Sequence, residues 1–280
     1  MLATYVLFLR EGLEASLIVS ILFAVLRQLG QMKQARAIWI GVGLAIFGSL
    51  LGAVLIFTLV HQYVDTTGQT IFETFTYLIA VVILTSMTFW MQKHSRSLKQ
   101  EITEKAKAAG SGFALGLLAF TFVGREGLET AFFALAFAFQ TNGWMLLLGG
   151  SLGILSSFVL AFMIYRLGYH LNYRIFFRVM GILLLFFAAG LLADAVQNMQ
   201  ELGWIPFGLT PLWNTAHILS EDSTLGDLLH SILGYAEAPT ILQATLYVFF
   251  LVSAISAFIF AASPVSPKKQ NTPWISLRRD

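Results

Sequence analysis

Seven times along its 280 residues the chain runs through twenty or more residues dominated by apolar side chains. A run of about 20 such residues crosses a hydrocarbon core of ~30 Å as a helix. Backbone groups in lipid must bond within their own segment, and the runs lack the alternating polar pattern of a barrel strand. The expected architecture is therefore all-α and polytopic. The spans are Ala3–Gln28, Ala37–Gln62, Ile71–Gln92, Gly112–Gln140, Trp144–Leu167, Ile175–Met199 and Thr240–Ala262. Only 11% of the chain is charged, against about 25% in soluble domains, so a single membrane domain covers residues 1–280. The first run has no basic leader and no small-residue cleavage site, and it carries Arg10, Glu11 and Glu14. It is expected to be a span rather than a signal peptide. Without cysteine, thiolate metal sites, disulfides and thiol catalysis are excluded.

The basic residues set an orientation. Arg27, Lys33 and Arg36 mark the first loop, and Lys93, Arg96, Lys99, Lys105 and Lys107 the third. Arg166, Arg174 and Arg178 mark the fifth, and Lys268, Lys269, Arg278 and Arg279 the tail. The even-numbered loops have none, and the two remaining of the 17 basic residues, Arg10 and Arg125, lie inside spans. The positive-inside rule then places the N-terminus outside and the C-terminus inside.

Those two arginines open identical motifs, Arg10-Glu11-Gly12-Leu13-Glu14 and Arg125-Glu126-Gly127-Leu128-Glu129. Each motif lies in the first helix of a triplet of spans, and three spans lie between the starts of the two triplets, so the second triplet enters from the opposite side. The expectation is an inverted 3+3 repeat plus a seventh helix. The divisions are repeat one 1–107, repeat two 110–199, outer loop 200–239, and seventh span with basic tail 240–280. At 1.5 Å per residue the first pair of acids lies ~12–17 Å from one face and the second ~21–26 Å from the other, so a tilted crossing brings them to similar depth.

On a helix, Glu11 and Glu14 share a face, and Arg10 reaches Glu14 one turn on; the second motif repeats this. Four carboxylates and two guanidiniums leave two surplus negative charges if all are ionised. Each charge at mid-bilayer costs ~2.5–3.5 kcal/mol, so the group must face the bundle interior and be neutralised by protons or a cation. An ion-pair staple needs balanced charge, and this set is not balanced. Oxygen ligands suit a hard cation. The candidate ligands are Glu11, Glu14, Glu126 and Glu129, supported by Arg10 and Arg125. Glu73 and Asp194, near the outer ends of the third and sixth spans, are supplementary candidates. The basic third loop reads as a solvated stretch meeting anionic headgroups. Trp39, Trp90, Trp144 and Tyr247 read as interface anchors. In the acidic outer loop, Thr224 with Asp227 starts a short amphipathic helix whose apolar face is Leu225, Leu228, Leu229, Ile232 and Leu233. That helix either lies on the outer surface or caps a vestibule.

The doubled motif, with the stretch Val81–Met91 in the third span, Glu73 ahead of that stretch, and Leu233–Pro239 before the seventh span, resembles the oxidase-dependent iron transporter family. That family takes in fungal high-affinity iron permeases and the bacterial ferrous iron permease of the Efe system. The resemblance implies an iron permease in the cytoplasmic (inner) membrane, not an enzyme. It implies that the four motif glutamates are the transport site, and that iron is the transported substrate rather than a resident cofactor. It also implies extracytoplasmic partners: an iron-binding protein and a peroxidase or oxidase. Nucleic acid is not expected as a partner. Two alternatives remain at this level. One is a proton-linked transporter of another divalent metal, manganese or lead. The other is an intramembrane di-metal oxidoreductase, which the placement of His61, His94, His170, His217 and His230 at span ends or in loops disfavours.

Overall fold

A computed structural model describes residues 1–61, 67–94, 98–167, 173–221 and 223–262. His170, Arg96 and the basic tail lie outside them. The described residues form helices α1 (Leu2–Gln28), α2 (Ala35–His61), α3 (Thr67–His94), α4 (Leu98–Ala108), α5 (Gly112–Gln140), α6 (Gly143–Leu167), α7 (Tyr173–Glu201), α8 (Thr224–Leu233) and α9 (Ile241–Ala262). The seven expected spans coincide with α1, α2, α3, α5, α6, α7 and α9 to within four residues at each end. Five of the helices are long and apolar enough to cross a membrane. The other two long ones, α1 and α5, match them in length but carry the charged motifs.

The helices pack in an exchanged order. α1 lies most extensively against α6, α5 against α2, and α3 against α7. Stripes of small residues permit the first two crossings. A Cβ added to Gly41 of α2 would strike the carbonyl of Gly116 in α5, and one added to Gly149 of α6 would strike the carbonyl of Met1 beside α1. One turn on, Gly153 lies against Phe8 and the Leu9 nitrogen, as Ala45 lies against Gly124. One turn further, Gly12 has no room for a side chain beside Ser157, and Gly127 none beside Ser49. Residues on α2 and α6 correspond at a constant offset of 108 and those on α1 and α5 at 115, so the same three contacts occur twice.

Two apolar clusters flank the motifs. One joins Val6 and Leu7 of α1, Leu84 of α3, Phe133 and Phe137 of α5, and Phe187 of α7. The other joins Ile18 and Leu22 of α1, Val42 of α2, Ile102 and Ala106 of α4, and Leu115 and Ala119 of α5. The charged motifs lie between these layers on both helices.

Two regions differ from the sequence expectation. The third loop holds a helix, α4, whose Ile102 and Ala106 are fully buried against the second cluster while Lys105 pairs with Glu101 at 2.7 Å. Apolar residues four apart are enough to dock a helix even when most of its residues are charged or polar. In the outer loop, α8 is capped by Ser223, whose Oγ accepts from Gly226 N at 3.0 Å, not by Thr224. Leu225 and Leu233 of its expected apolar face are exposed, and Ile232 is the residue that packs on the core. α8 ends at Gly234, where φ is +63° and a Cβ would come 2.7 Å from Gly190 Cα, a position only glycine fits.

Candidate metal centre

The first motif is held by its own helix and by α3. Arg10 is 2% exposed. Its Nη1 donates to Glu11 Oε1 at 2.8 Å and to Met87 Sδ at 3.2 Å. Its Nε approaches Glu14 Oε1 at 3.1 Å, an ion pair without hydrogen-bond alignment that leaves this oxygen without a hydrogen bond. In the second motif Arg125 Nε donates to Glu129 Oε1 at 2.8 Å, and the guanidinium lies over the Trp90 ring, 4.9 Å from its centroid. Both arginines thus reach the glutamate four residues on, as helix geometry requires, and both are met by residues of α3.

The motifs converge. One carboxylate oxygen each from Glu11, Glu126 and Glu129 lies within 4.8 Å of the others. Glu126 is also within hydrogen-bonding reach of Glu11. Oxygens on opposite sides of one cation, at bond lengths of about 2.0–2.6 Å, are ~4–5 Å apart, so this spacing admits a single ion. Glu11 Oε2, Glu126 Oε2 and Glu129 Oε2 are buried and meet no hydrogen-bond donor among the described residues. Carboxylates packed this closely need a proton or a cation between them, and orphaned acceptors of this kind are costly unless one arrives. Glu14 is buried one turn from Glu11, beyond the group of three.

Glu73 and Asp194 are not brought into this centre. Glu73 accepts from Gln69 at 2.7 Å, within α3. Asp194 accepts from Gln140 and lies 3.7 Å from His230 Nε2. His230 Nδ1 is 3.0 Å from Glu221 and 2.8 Å from the Tyr235 carbonyl. Among the described residues no histidine joins the carboxylate group. Burial works against the charge of His230, but the Glu221 hydrogen bond and the Asp194 charge push it up to about 9. The same hydrogen bond holds Glu221 below the usual carboxylate range. An open cleft of about 440 Å³ on this side, between the acidic loop and the ends of α7 and α9, has Glu201, Glu221 and Glu237 in its lining.

Sequence reasoning missed several residues. Trp90, expected as an interface anchor, carries the Arg125 guanidinium instead. Tyr247 donates to the Leu233 carbonyl at the end of α8, whereas Trp39 and Trp144 are exposed, as an anchor would be. Met87 had no signal beyond its place on α3. Ser49 and Ser157 were detectable, because each ends a run of small residues spaced four apart: Gly41, Ala45, Ser49 and Gly149, Gly153, Ser157.

With the geometry in place, comparison with known proteins is specific. The profile of the iron permease FTR1 family matches residues 1–265. The ferrous iron permease EfeU of Escherichia coli O6:K15:H31 is 36% identical over 270 residues, covering 92% of this chain and 95% of the relative. EfeU of Yersinia pseudotuberculosis serotype I is 36% identical over 278 residues, covering 92% and 93%. EfeU of Yersinia pestis is 35% identical over 275 residues, with the same coverage. No solved structure matches. The relatives are named as permeases, that is, transporters rather than enzymes.

Proposed function

The chain belongs to the iron permease FTR1 family, and on that premise we propose that it carries iron into the cell through the carboxylate centre of Glu11, Glu14, Glu126 and Glu129. The single observation that carries this is the convergence of Glu11, Glu126 and Glu129 within 4.8 Å, with orphaned oxygens, from two helices that begin 110 residues apart. Iron exchanges water for carboxylate oxygens there. The surplus negative charge of the two motifs is what makes its dehydration tolerable. Metal binding displaces protons from carboxylates, which makes binding weaker at low pH.

In this proposal all seven long helices cross the cytoplasmic membrane. α1 and α5 do so because their charges face each other inside the bundle. The N-terminus and α8 are outside and α4 is inside, following the basic residues. The two triplets form an inverted repeat. It draws support from the twofold recurrence of the glycine and serine contacts between α1 and α6 and between α5 and α2. Glu73, Asp194 and the acidic cleft beside Glu201 and Glu237 form the outer approach, where iron handed over by an extracytoplasmic protein gathers before entering.

The test is uptake of radiolabelled iron by cells whose only permease is this chain. Glu11→Ala, Glu14→Ala, Glu126→Ala and Glu129→Ala should each abolish uptake while the protein remains in the membrane at its normal level. Uptake at the unsubstituted level in the Glu11 or Glu126 variant sinks the carboxylate mechanism.

A further inference from the structure

The six motif charges are not equally enclosed. Arg10 and Glu11 are 2% exposed, Glu14 4%, Glu126 7%, Glu129 17% and Arg125 45%. The exposure rises steadily toward one residue, so the centre meets the exterior at Arg125. Toward α8, the layer of Leu7, Leu84, Phe133, Phe137 and Phe187 is almost fully buried and seals the centre. Toward α4, neither α3 nor α7 contributes to the buried cluster.

The arginines are also anchored differently. Arg10 has contacts to Glu11, Glu14 and Met87 and is almost fully buried. Arg125 has one hydrogen bond, through Nε. Its terminal nitrogens meet no acceptor among the described residues, and its plane rests on Trp90. Met87 and Trp90 are one turn apart on α3, so a single helix holds one arginine by a sulfur and the other by a ring.

We propose that Arg125, resting on Trp90, is the displaceable gate of the carboxylate centre, and that Arg10 is its fixed counterion. This rests on the reading that a cation occupies the centre. Such a cation competes with Arg125 for Glu129, because two positive charges cannot share one carboxylate in a dry site without strong repulsion. Arg10 cannot yield, being buried and held at three points. Arg125 can yield, since it is half exposed and the face of Trp90 attracts a guanidinium wherever it slides along the ring. When the guanidinium swings back onto Glu129 it neutralises that ligand and expels the ion. Trp90 is a positioning residue: it sets how readily Arg125 leaves and returns, not how many ligands the ion has.

The test uses the purified full-length chain, with ferrous iron under anaerobic conditions as the probe. Equilibrium binding is measured in detergent, and uptake in proteoliposomes. Trp90→Leu should keep binding within about twofold of the unsubstituted chain, while the maximal uptake rate falls about fivefold, the factor expected for loss of one cation–π contact. Trp90→Phe, which keeps a ring face, should restore the rate to within about twofold. Arg125→Gln should bind iron at least as tightly as the unsubstituted chain, because the competitor is gone, and should fail to turn over. Normal uptake in Trp90→Leu, parallel loss of binding and uptake in it, failure of phenylalanine to rescue, or weaker binding in Arg125→Gln each overturns the gate. Glu11→Ala is the separate control. If it binds iron normally the carboxylate reading fails; if it loses binding while Trp90→Leu transports normally, that reading stands and the gate alone falls.

Discussion

Arg10 and Arg125 each reach the glutamate four residues on through Nε, at 3.1 and 2.8 Å, yet the first is sealed in the bundle and the second is half exposed. The shared part of that comparison is local. Five identical letters on a helix produce the same intrahelical pair wherever they occur. The difference is tertiary: α3 covers Arg10 with Met87 and only underlies Arg125 with Trp90. Repetition in sequence therefore fixes the pair with the glutamate four residues on, while the tertiary surroundings decide how firmly it is held and whether the adjacent glutamate joins it, as Glu11 does.

If burial is the variable, substitutions should sort by it. Arg10→Ala leaves two enclosed carboxylates without their counterion and should cost about 3–5 kcal/mol, the range for breaking a buried pair. The readout is thermal unfolding of the purified protein in detergent. Gly12→Ala and Gly127→Ala should each cost about 1–3 kcal/mol, because the new methyl meets Ser157 or Ser49. Gly12→Ala should be relieved by Ser157→Gly but not by Ser49→Gly; relief by the wrong serine breaks the exchanged packing.

An intermediate case lies outside the spans. His230 is 16% exposed and faces Asp194 and Glu221, with Glu237 accepting from the Glu221 nitrogen beside it. Its pKa is raised from 6.5 to about 9 by folding, so its contribution is complete below pH 6.5 and is lost as pH rises through about 9. Hydrogen exchange along α8 should quicken over that window as the contribution of His230 is lost. The pH dependence should vanish in His230→Gln. Arg125→Ala should lower stability by no more than ~1 kcal/mol, since its pair is only partly buried. Glu101→Gln, which breaks the exposed pair with Lys105, should cost ~0.3–0.5 kcal/mol. An Arg125 variant as unstable as the Arg10 variant would erase the distinction between the motifs.

The chain announced its long helices because about 20 apolar residues in a row have few other uses. It announced its candidate site because charges inside such runs are too costly to be incidental. What it concealed depended on partners distant in sequence. Met87 is 77 residues from Arg10, and nothing local marks it. α4 was hidden because charged residues outnumber the two, Ile102 and Ala106, that dock it. Asp194, a supplementary candidate from its place near a span end, has partners the sequence did not reveal, His230 and Gln140. The start of α8 was displaced by one residue, since both Ser223 and Thr224 can cap and only coordinates tell which does. The small-residue stripes were legible, given that Gly41, Ala45 and Ser49 recur as Gly149, Gly153 and Ser157.

Those stripes also set a schedule for biosynthesis. α1 leaves the ribosome first, but the surface cut to receive it, on α6, starts at Gly143. Until more than half the chain has been made, Arg10, Glu11 and Glu14 lack the helix that crosses α1. A nascent chain stopped before Gly143 should therefore be recognised by membrane quality control as unfinished, and degraded, even though every helix it contains has already formed.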